Sequence, residues 1–371
     1  MMSRRGTVLL LLLLPALLPG AEKDVWSGVE RVVAMGDVHG DYKQFTTLLG
    51  QAGLIDKDEK WTGGKAHLVQ TGDVPDRGPD TRKIMDLLMK LEKEASRAGG
   101  AVHALIGNHE AMNVYGDLRY VIPEEYAAFR DSNSERTREM IWEQHLEVLR
   151  RNPNAPASPD KAYRQDWESK HPMGFVEHRR NWAPNGKYGQ WVRSHNAVVK
   201  VNDSLFLHGG ISPKFADTML QQINERVRQE LEDFKLLQDG VTMDPDGPLW
   251  YRGLATENEA TLASHVDTVL RNYGVKRIVI GHTVTPGTVI PRFGGKVVMI
   301  DCGMSAAYGG RQAFLVIEKD KLQTVHRGKP LDLAVEGPAM LEYFKAAAAL
   351  DPQPSPLAAL IRALEGGAAA R

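Results

Sequence analysis

The sequence predicts an α/β fold with its chemistry placed at the ends of buried strands, and three observations carry that prediction. Short β-branched or apolar runs at residues 32–35, 67–70, 102–106, 205–207, 277–280 and 297–300 are each of strand length and bounded by glycine, which reads as buried strand rather than helix. Helical patterns at residues 42–52 and 81–97 lie between the early runs, the second carrying Ile84, Leu87, Leu88 and Leu91 on one face. The runs end repeatedly in glycine beside a side chain able to bind a metal. Loops at the edge of a rigid sheet can bring such residues together.

Composition narrows the class. A chain of 371 residues with 42% apolar and 25% charged residues is long enough for one large domain or two modest ones, and is globular rather than disordered. The formal charge is -1, with both signs interspersed, so no single-sign field recommends a nucleic-acid partner. At the N-terminus, Arg4 and Arg5 precede an apolar run over residues 8–18 and the small residues Gly20 and Ala21. This predicts a signal peptide over residues 1–21 and a periplasmic or secreted protein. The run falls short of the roughly 20 apolar residues needed to span a bilayer. No stable membrane span is therefore expected after cleavage, and an uncleaved anchor is the competing reading. The lone Cys302 excludes an internal disulfide and lacks a Cys-x-x-Cys or Cys-His-Asn setting, so a buried inert thiol is expected.

From residue 113 to 194 the sequence becomes helix-forming and charged, with aromatic insertions and a Pro-rich break that begins at Asn152 and ends at Pro159. It is expected to form a mostly helical insertion, either walling a cleft or standing as a solvated subdomain. Residues 222–237 read as a helix with a mixed-charge face. Residues 321–371 read as a C-terminal extension, Ala/Pro-rich from 346, with room for a short helix and a disordered tip.

The chemistry sits in five motifs. Asp37 and His39 follow the first run in Gly36-Asp37-Val38-His39-Gly40, where a hard oxygen and a borderline nitrogen can turn toward one ion. Asp73 follows the second run, and its two oxygens can bridge two ions; Asp76 and Arg77 come next, in Gly72-Asp73-Val74-Pro75-Asp76-Arg77-Gly78. In Gly107-Asn108-His109-Glu110 the Asn108 amide oxygen can bind metal while the adjacent His109 points elsewhere. His208-Gly209-Gly210 and Gly281-His282-Thr283 each close a strand with histidine beside glycine, where backbone can approach the site closely. Together these offer Asp37, Asp73, His39, His208, His282 and Asn108 to two ions. One histidine after a strand means little on its own. Five ordered motifs at strand ends are hard to ascribe to chance. The remaining histidines, among them His67, His103, His178 and His326, have no such setting and read as structural.

In order, these motifs resemble those of the phosphoprotein phosphatase family of calcineurin-like metallophosphoesterases, over roughly residues 29–317. Gly116-Asp117-Leu118-Arg119-Tyr120, Gly186-Lys187-Tyr188-Gly189-Gln190-Trp191, Pro248-Leu249-Trp250-Tyr251-Arg252-Gly253 and Asp301-Cys302-Gly303-Met304 look like the Shewanella-like phosphatase branch. The resemblance implies an αββα sandwich, here over residues 29–320, flanked by helices and carrying the insertion. It implies one metal on Asp37, His39 and Asp73, and a second on Asp73, Asn108, His208 and His282. The mixed N/O set suits Mn, Fe or Zn.

The same resemblance implies that a water bridging the two ions attacks a phosphomonoester directly, without a phosphoenzyme. His109 would protonate the leaving oxygen, oriented by Asp76. Arg77, Arg252 and Asn108 would hold the phosphate. The implied substrate is a phosphorylated protein or peptide, with a leaning toward phosphotyrosine, or a small phosphomonoester. Two other readings stand beside it: a dinucleoside polyphosphate hydrolase or general phosphoesterase on the same core, and an inactive metal-binding interaction module. Pro75 stands where the common eukaryotic motif has Val, which bears on the loop's shape and leaves Asp73 and Asp76 in place. Nothing in the sequence speaks to oligomeric state.

Overall fold

The computed structural model describes residues 23–151, 159–319 and 321–369. The expected signal peptide and most of the Pro-rich break lie outside the described residues. Among the described residues no helix is long and apolar enough to cross a membrane.

Along the chain come β1 (Val25–Trp26), β2 (Arg31–Met35), α1 (Tyr42–Gln51), β3 (His67–Gln70), α2 (Thr81–Arg97), β4 (Ala101–Ala104) and α3 (Asn108–Tyr115). The insertion follows as α4 (Pro123–Ala127), α5 (Ser134–Arg151), α6 (Lys161–Lys170), α7 (Phe175–Trp182) and α8 (Lys187–Arg193). The second half holds β5 (Val198–Val201), β6 (Ser204–Leu207), α9 (Leu220–Glu232), α10 (Gly253–Thr256), α11 (Glu259–Tyr273), β7 (Arg277–Ile280), β8 (Ile290–Arg292) and β9 (Val297–Met299). It ends with β10 (Ala313–Glu318), β11 (Lys321–His326), β12 (Lys329–Asp332), α12 (Gly337–Leu350) and α13 (Ala358–Ala369).

Strand alternation explains the layers. In β2, Val33 and Met35 join Phe45, Leu48 and Leu49 of α1 and Ile84, Leu87, Leu88 and Leu91 of α2 in one core. Val32 and Ala34 turn the other way, to Phe206, Val279, Val298, Leu315 and Ile317 of both sheets. On the far side, Leu205, Leu207, Ile278 and Ile280 meet Ile223 and Val227 of α9 and Val266 and Val269 of α11. Two six-stranded sheets, β1-β5-β6-β7-β9-β8 and β12-β11-β10-β2-β3-β4, thus face each other with helices outside, the expected αββα sandwich.

β2, β3 and β4 run parallel, as do β6, β7 and β9. Parallel strands deliver their C-terminal ends to one edge, so both sheets aim their following loops at the same place. The insertion is helical among the described residues. The region read as an extension beyond residue 320 is part of the fold: β11 pairs antiparallel with β10 over six residues and β12 pairs with β11. β11 escaped notice because its inward residues, Thr324 and His326, are polar though buried. Tyr343 and Phe344 of α12 close the inter-sheet core. Cys302 is buried there too, and burial pushes its thiol pKa up.

Candidate active site

The loops after β2, β3 and β7 bend more sharply than L-residues prefer. His39, Asp73, Asp76, Arg77 and His282 all have positive φ, from 44° to 72°, a region that non-glycine residues seldom enter. Strain of this kind persists only where surrounding structure holds it. Here Val38 and His39 donate backbone hydrogen bonds to the Asp73 carbonyl, both at 3.0 Å, tying the first two loops together. Gly281 lets the β7 loop close in: a Cβ there would lie 2.6 Å from Asp37 Oδ1 and 2.7 Å from Thr71 Oγ1. The His282 amide then donates to Asp37 Oδ1 at 3.1 Å.

Asp73 lies at the centre of the converging side chains. Its Oδ2 is 3.2 Å from His208 Nε2, 3.7 Å from His109 Nε2 and 3.8 Å from His39 Nε2. His39 Nε2 is also 3.9 Å from Asp37 Oδ2. His208 Nε2 lies 2.9 Å from Asn108 Oδ1 and 3.0 Å from His282 Nδ1. Two overlapping donor groups result: His39, Asp73 and His109, then Asp73, His208 and His282. Asp37, Asp73, Asn108, His39, His208 and His282 are all nearly inaccessible.

These residues fit cations. His208 Nδ1 faces the Thr71 carbonyl at 2.9 Å and His39 Nδ1 faces the Pro75 carbonyl at 3.0 Å. A carbonyl only accepts, so both rings carry their hydrogen on Nδ1 and present a lone pair on Nε2. His208 Nε2, Asn108 Oδ1 and Asp73 Oδ2 then crowd together with at most one proton, from His282, among them. His282 Nε2 is buried without a hydrogen-bond partner. Lone pairs so placed repel unless a cation lies between them. The first donor group differs from the expected set in that it takes in His109 Nε2 and leaves out Asp37, whose Oδ2 lies 3.9 Å from His39 Nε2.

The electrostatics agree. Burial and the charges of Asp301 and Asp73 push Asp37 well above the usual carboxylate range. Burial also works against the Asp73 carboxylate, yet His208, His109 and His39 hold it well below that range. Burial drives His39 down to about 3. His109 is raised: burial opposes its charge, but Asp73 and Asp76 prevail.

His109 Nδ1 meets Asp76 Oδ2 at 2.5 Å, and Asn113 Nδ2 donates to Asp76 Oδ1 at 2.9 Å. Arg77 stacks on Tyr120 at 4.4 Å and Tyr308 at 5.3 Å, and its Nε has no partner. Arg252 is exposed and donates through Nη1 to the His282 carbonyl at 2.7 Å and to Thr283 Oγ1 at 3.0 Å. Sequence reasoning missed two buried carboxylates. Glu110 accepts from the backbone amides of Asp73, Val74 and Gly107 at 2.7–2.8 Å, and Gly107-x-x-Glu110, a glycine-led capping box, was the available signal. Asp301, fully buried after β9, leaves Oδ2 unpartnered beside Asp37. It stood in a motif noted only for its resemblance.

Residues 30–286 match the calcineurin-like phosphoesterase family. An uncharacterized protein of Schizosaccharomyces pombe is 32% identical over 318 residues, covering 81% of this chain and 82% of that protein. Shewanella-like protein phosphatase 2 of Arabidopsis thaliana is 31% identical, covering 81% of this chain and 78% of its own. The crystal structure of a cold-active protein-tyrosine phosphatase of a psychrophilic Shewanella superposes with a TM-score of 0.63 at 30% identity, covering 84% of this chain and 82% of that one. This chain belongs to the calcineurin-like phosphoesterase family and is a metal-dependent phosphatase whose relatives include Shewanella-like protein phosphatases.

Proposed function

We propose that the protein hydrolyses phosphomonoesters of proteins or peptides, with a preference for phosphotyrosine, using His109 as general acid. The observation that carries this reading is the convergence of Asp73, Asn108, His208 and His282 beside a buried His109–Asp76 pair. Asp37, His39 and Asp73 would hold one metal ion, and Asp73, Asn108, His208 and His282 a second. Two ions there would supply an activated water and offset phosphate charge.

The chain's own residues do the rest. His109 Nε2 points to the donor cluster while Asp76 fixes Nδ1, so the proton for the leaving oxygen sits on Nε2. Arg77, its guanidinium over the rings of Tyr120 and Tyr308, keeps an unpaired N–H at Nε and would offer its fork to phosphate oxygens. Arg252, anchored to the His282 loop, brings positive charge to the rim. The half-exposed rings of Tyr120, Tyr308 and Trp250 stand around the site, within 5.0 Å of His109, 5.3 Å of His39 and 6.0 Å of His282. An aromatic rim suits an aryl phosphate better than an alkyl one, in line with the tyrosine phosphatase named above.

The test is phosphate release from phosphotyrosine, phosphoserine and phosphothreonine peptides after metal stripping and restoration with Mn or Fe/Zn, alongside Asp73→Asn and His109→Asn. Metal-dependent release that both substitutions abolish, fastest from phosphotyrosine, is expected. Metal binding without release from any peptide would sink the protein-phosphatase reading, and a phosphoserine or phosphothreonine preference would remove its tyrosyl part.

A further inference from the structure

We propose that Glu125 of α4 and His178 of α7 form a buried brace behind the His109–Asp76 pair, making them positioning residues for the phosphatase reaction. The helical insertion would then set the acid's geometry. This inference rests on the reading of His109 as general acid.

Asp76 is fully buried and held at φ 72°. Its two carboxylate oxygens are committed to His109 and Asn113, and its backbone faces the Glu125 carboxyl. Glu125 lies on that side. Its carboxyl is fully buried and pushed well above the usual carboxylate range by burial and by the Asp76 charge. His178, also fully buried, places Nε2 3.8 Å from Glu125 Oε1, and burial keeps its ring neutral, down to about 3. Both nitrogens of His178 are buried without a hydrogen-bond partner, and the Glu125 oxygens, with the Thr81 hydroxyl and the Asp76 backbone beside them, make no hydrogen bond of full geometry.

Such a cluster is costly, and apolar side chains would fill the space at less expense. The rings of Tyr126 and Phe129 already pack edge-on against His178 at 5.0 and 4.9 Å, so the site is set in apolar surroundings. A carboxyl whose charge burial disfavours and a neutral imidazole 3.8 Å away can be joined by one bridging water or a small shift. They then offer polar support to the Asp76 turn without adding a charge beside it.

Three further hydrogen bonds tie the insertion to the segments that carry the pair. Arg179, next to His178 on α7, donates through Nη1 to the Asn113 carbonyl at 2.5 Å and through Nη2 to the Val114 carbonyl at 3.3 Å, gripping the end of the helix that begins with Asn108 and His109. The Arg77 amide donates to the Tyr120 carbonyl at 3.1 Å, three residues before α4 begins. The insertion therefore holds α3 with one residue of α7, and Glu125 and His178 lie where it meets the Asp76 loop.

Leaving-group dependence tests the proposal. A phosphate ester of a poor leaving group needs the acid's proton, whereas 2,4-dinitrophenyl phosphate does not. With metal-loaded protein, Glu125→Gln and His178→Phe are expected to lower kcat on phenyl phosphate by about 10-fold or more. They should alter kcat on 2,4-dinitrophenyl phosphate less than about twofold, with metal content unchanged. His109→Asn is the control and should show the same selectivity more strongly. If both variants slow the two substrates equally, or slow neither, the brace is overturned. If His109→Asn itself shows no selectivity, the acid assignment fails instead, and the brace falls with it. Should Glu125→Gln not fold, His178→Phe, a near-isosteric change among aromatic rings, is read by the same criteria.

Discussion

His109 and Asp76 meet at 2.5 Å with both side chains buried, and the Asn113 amide occupies the second oxygen of Asp76. The carboxylate therefore has one task left, to hold the imidazole with its proton outward. Asp76→Asn removes the charge that favours imidazolium, and His109→Asn removes the acid. Each should lower kcat on aryl phosphates of ordinary leaving ability by about 10²-fold or more while metal content is retained. Steady-state kinetics with metal analysis decides this, and an active His109→Asn enzyme would refute it.

Glu110 should matter for stability. Its two oxygens accept three backbone N–H groups, from Asp73, Val74 and Gly107, joining the loop after β3 to the start of α3. In Glu110→Gln an amide N–H₂ faces at least one backbone N–H, leaving a buried donor unpaired. The expected loss is about 1–3 kcal/mol in denaturant unfolding. A midpoint equal to that of the wild type would mean that the loops are held by other means.

At Gly281 the room for a side chain decides the outcome. A methyl there meets Asp37 Oδ1 at 2.6 Å and Thr71 Oγ1 at 2.7 Å, so Gly281→Ala must displace Asp37 or the β7 loop. Overpacking of this kind costs about 1–3 kcal/mol. Metal analysis should find less than the full complement bound, with activity lowered in step. Undiminished metal content would show that the loop yields more readily than this packing implies.

Stability should fall as the solution is acidified through the histidine range. Burial holds His178 down to about 3 and His67 to about 4 in the folded protein, while an unfolded histidine titrates near 6.5. A depressed histidine pKa means that the unfolded chain binds the extra proton first. The contribution is thus fully present above about pH 6.5 and is lost progressively below it, by up to about 1.4 kcal/mol per pH unit for each group. Because both ring nitrogens of His178 lack partners, His178→Phe should flatten the slope of unfolding free energy between about pH 6 and 4. Urea titrations across that range measure it, and parallel slopes for the two proteins would contradict the assignment.

Much of the site was legible along the chain because its requirements are local. Each ligand stands at the end of a strand beside glycine, and the turns need backbone that few residues adopt, as the positive φ of His39, Asp73 and His282 records. The runs at 67–70 and 277–280 coincide with β3 and β7. Strands with polar or short patterns were not legible: β1 is two residues long, and β11 buries Thr324 and His326. Glu110 and Asp301 were passed over as site residues because a carboxylate shows its role only through what surrounds it.

The kinds of ligand, their order and the α/β alternation can be read along the chain, since periodicity, glycine-bounded turns and donor chemistry are properties of short stretches. Which side chains meet depends on how the sheets pack. The His282 amide reaches Asp37 across 245 positions of sequence, and His208 approaches Asn108 across 100. Packing also brings Glu125 and His178 of the insertion together in the interior, and makes the chain beyond residue 320 complete a sheet. Burial and convergence arise from packing two sheets face to face, and no local pattern encodes the distance between residues on different sheets.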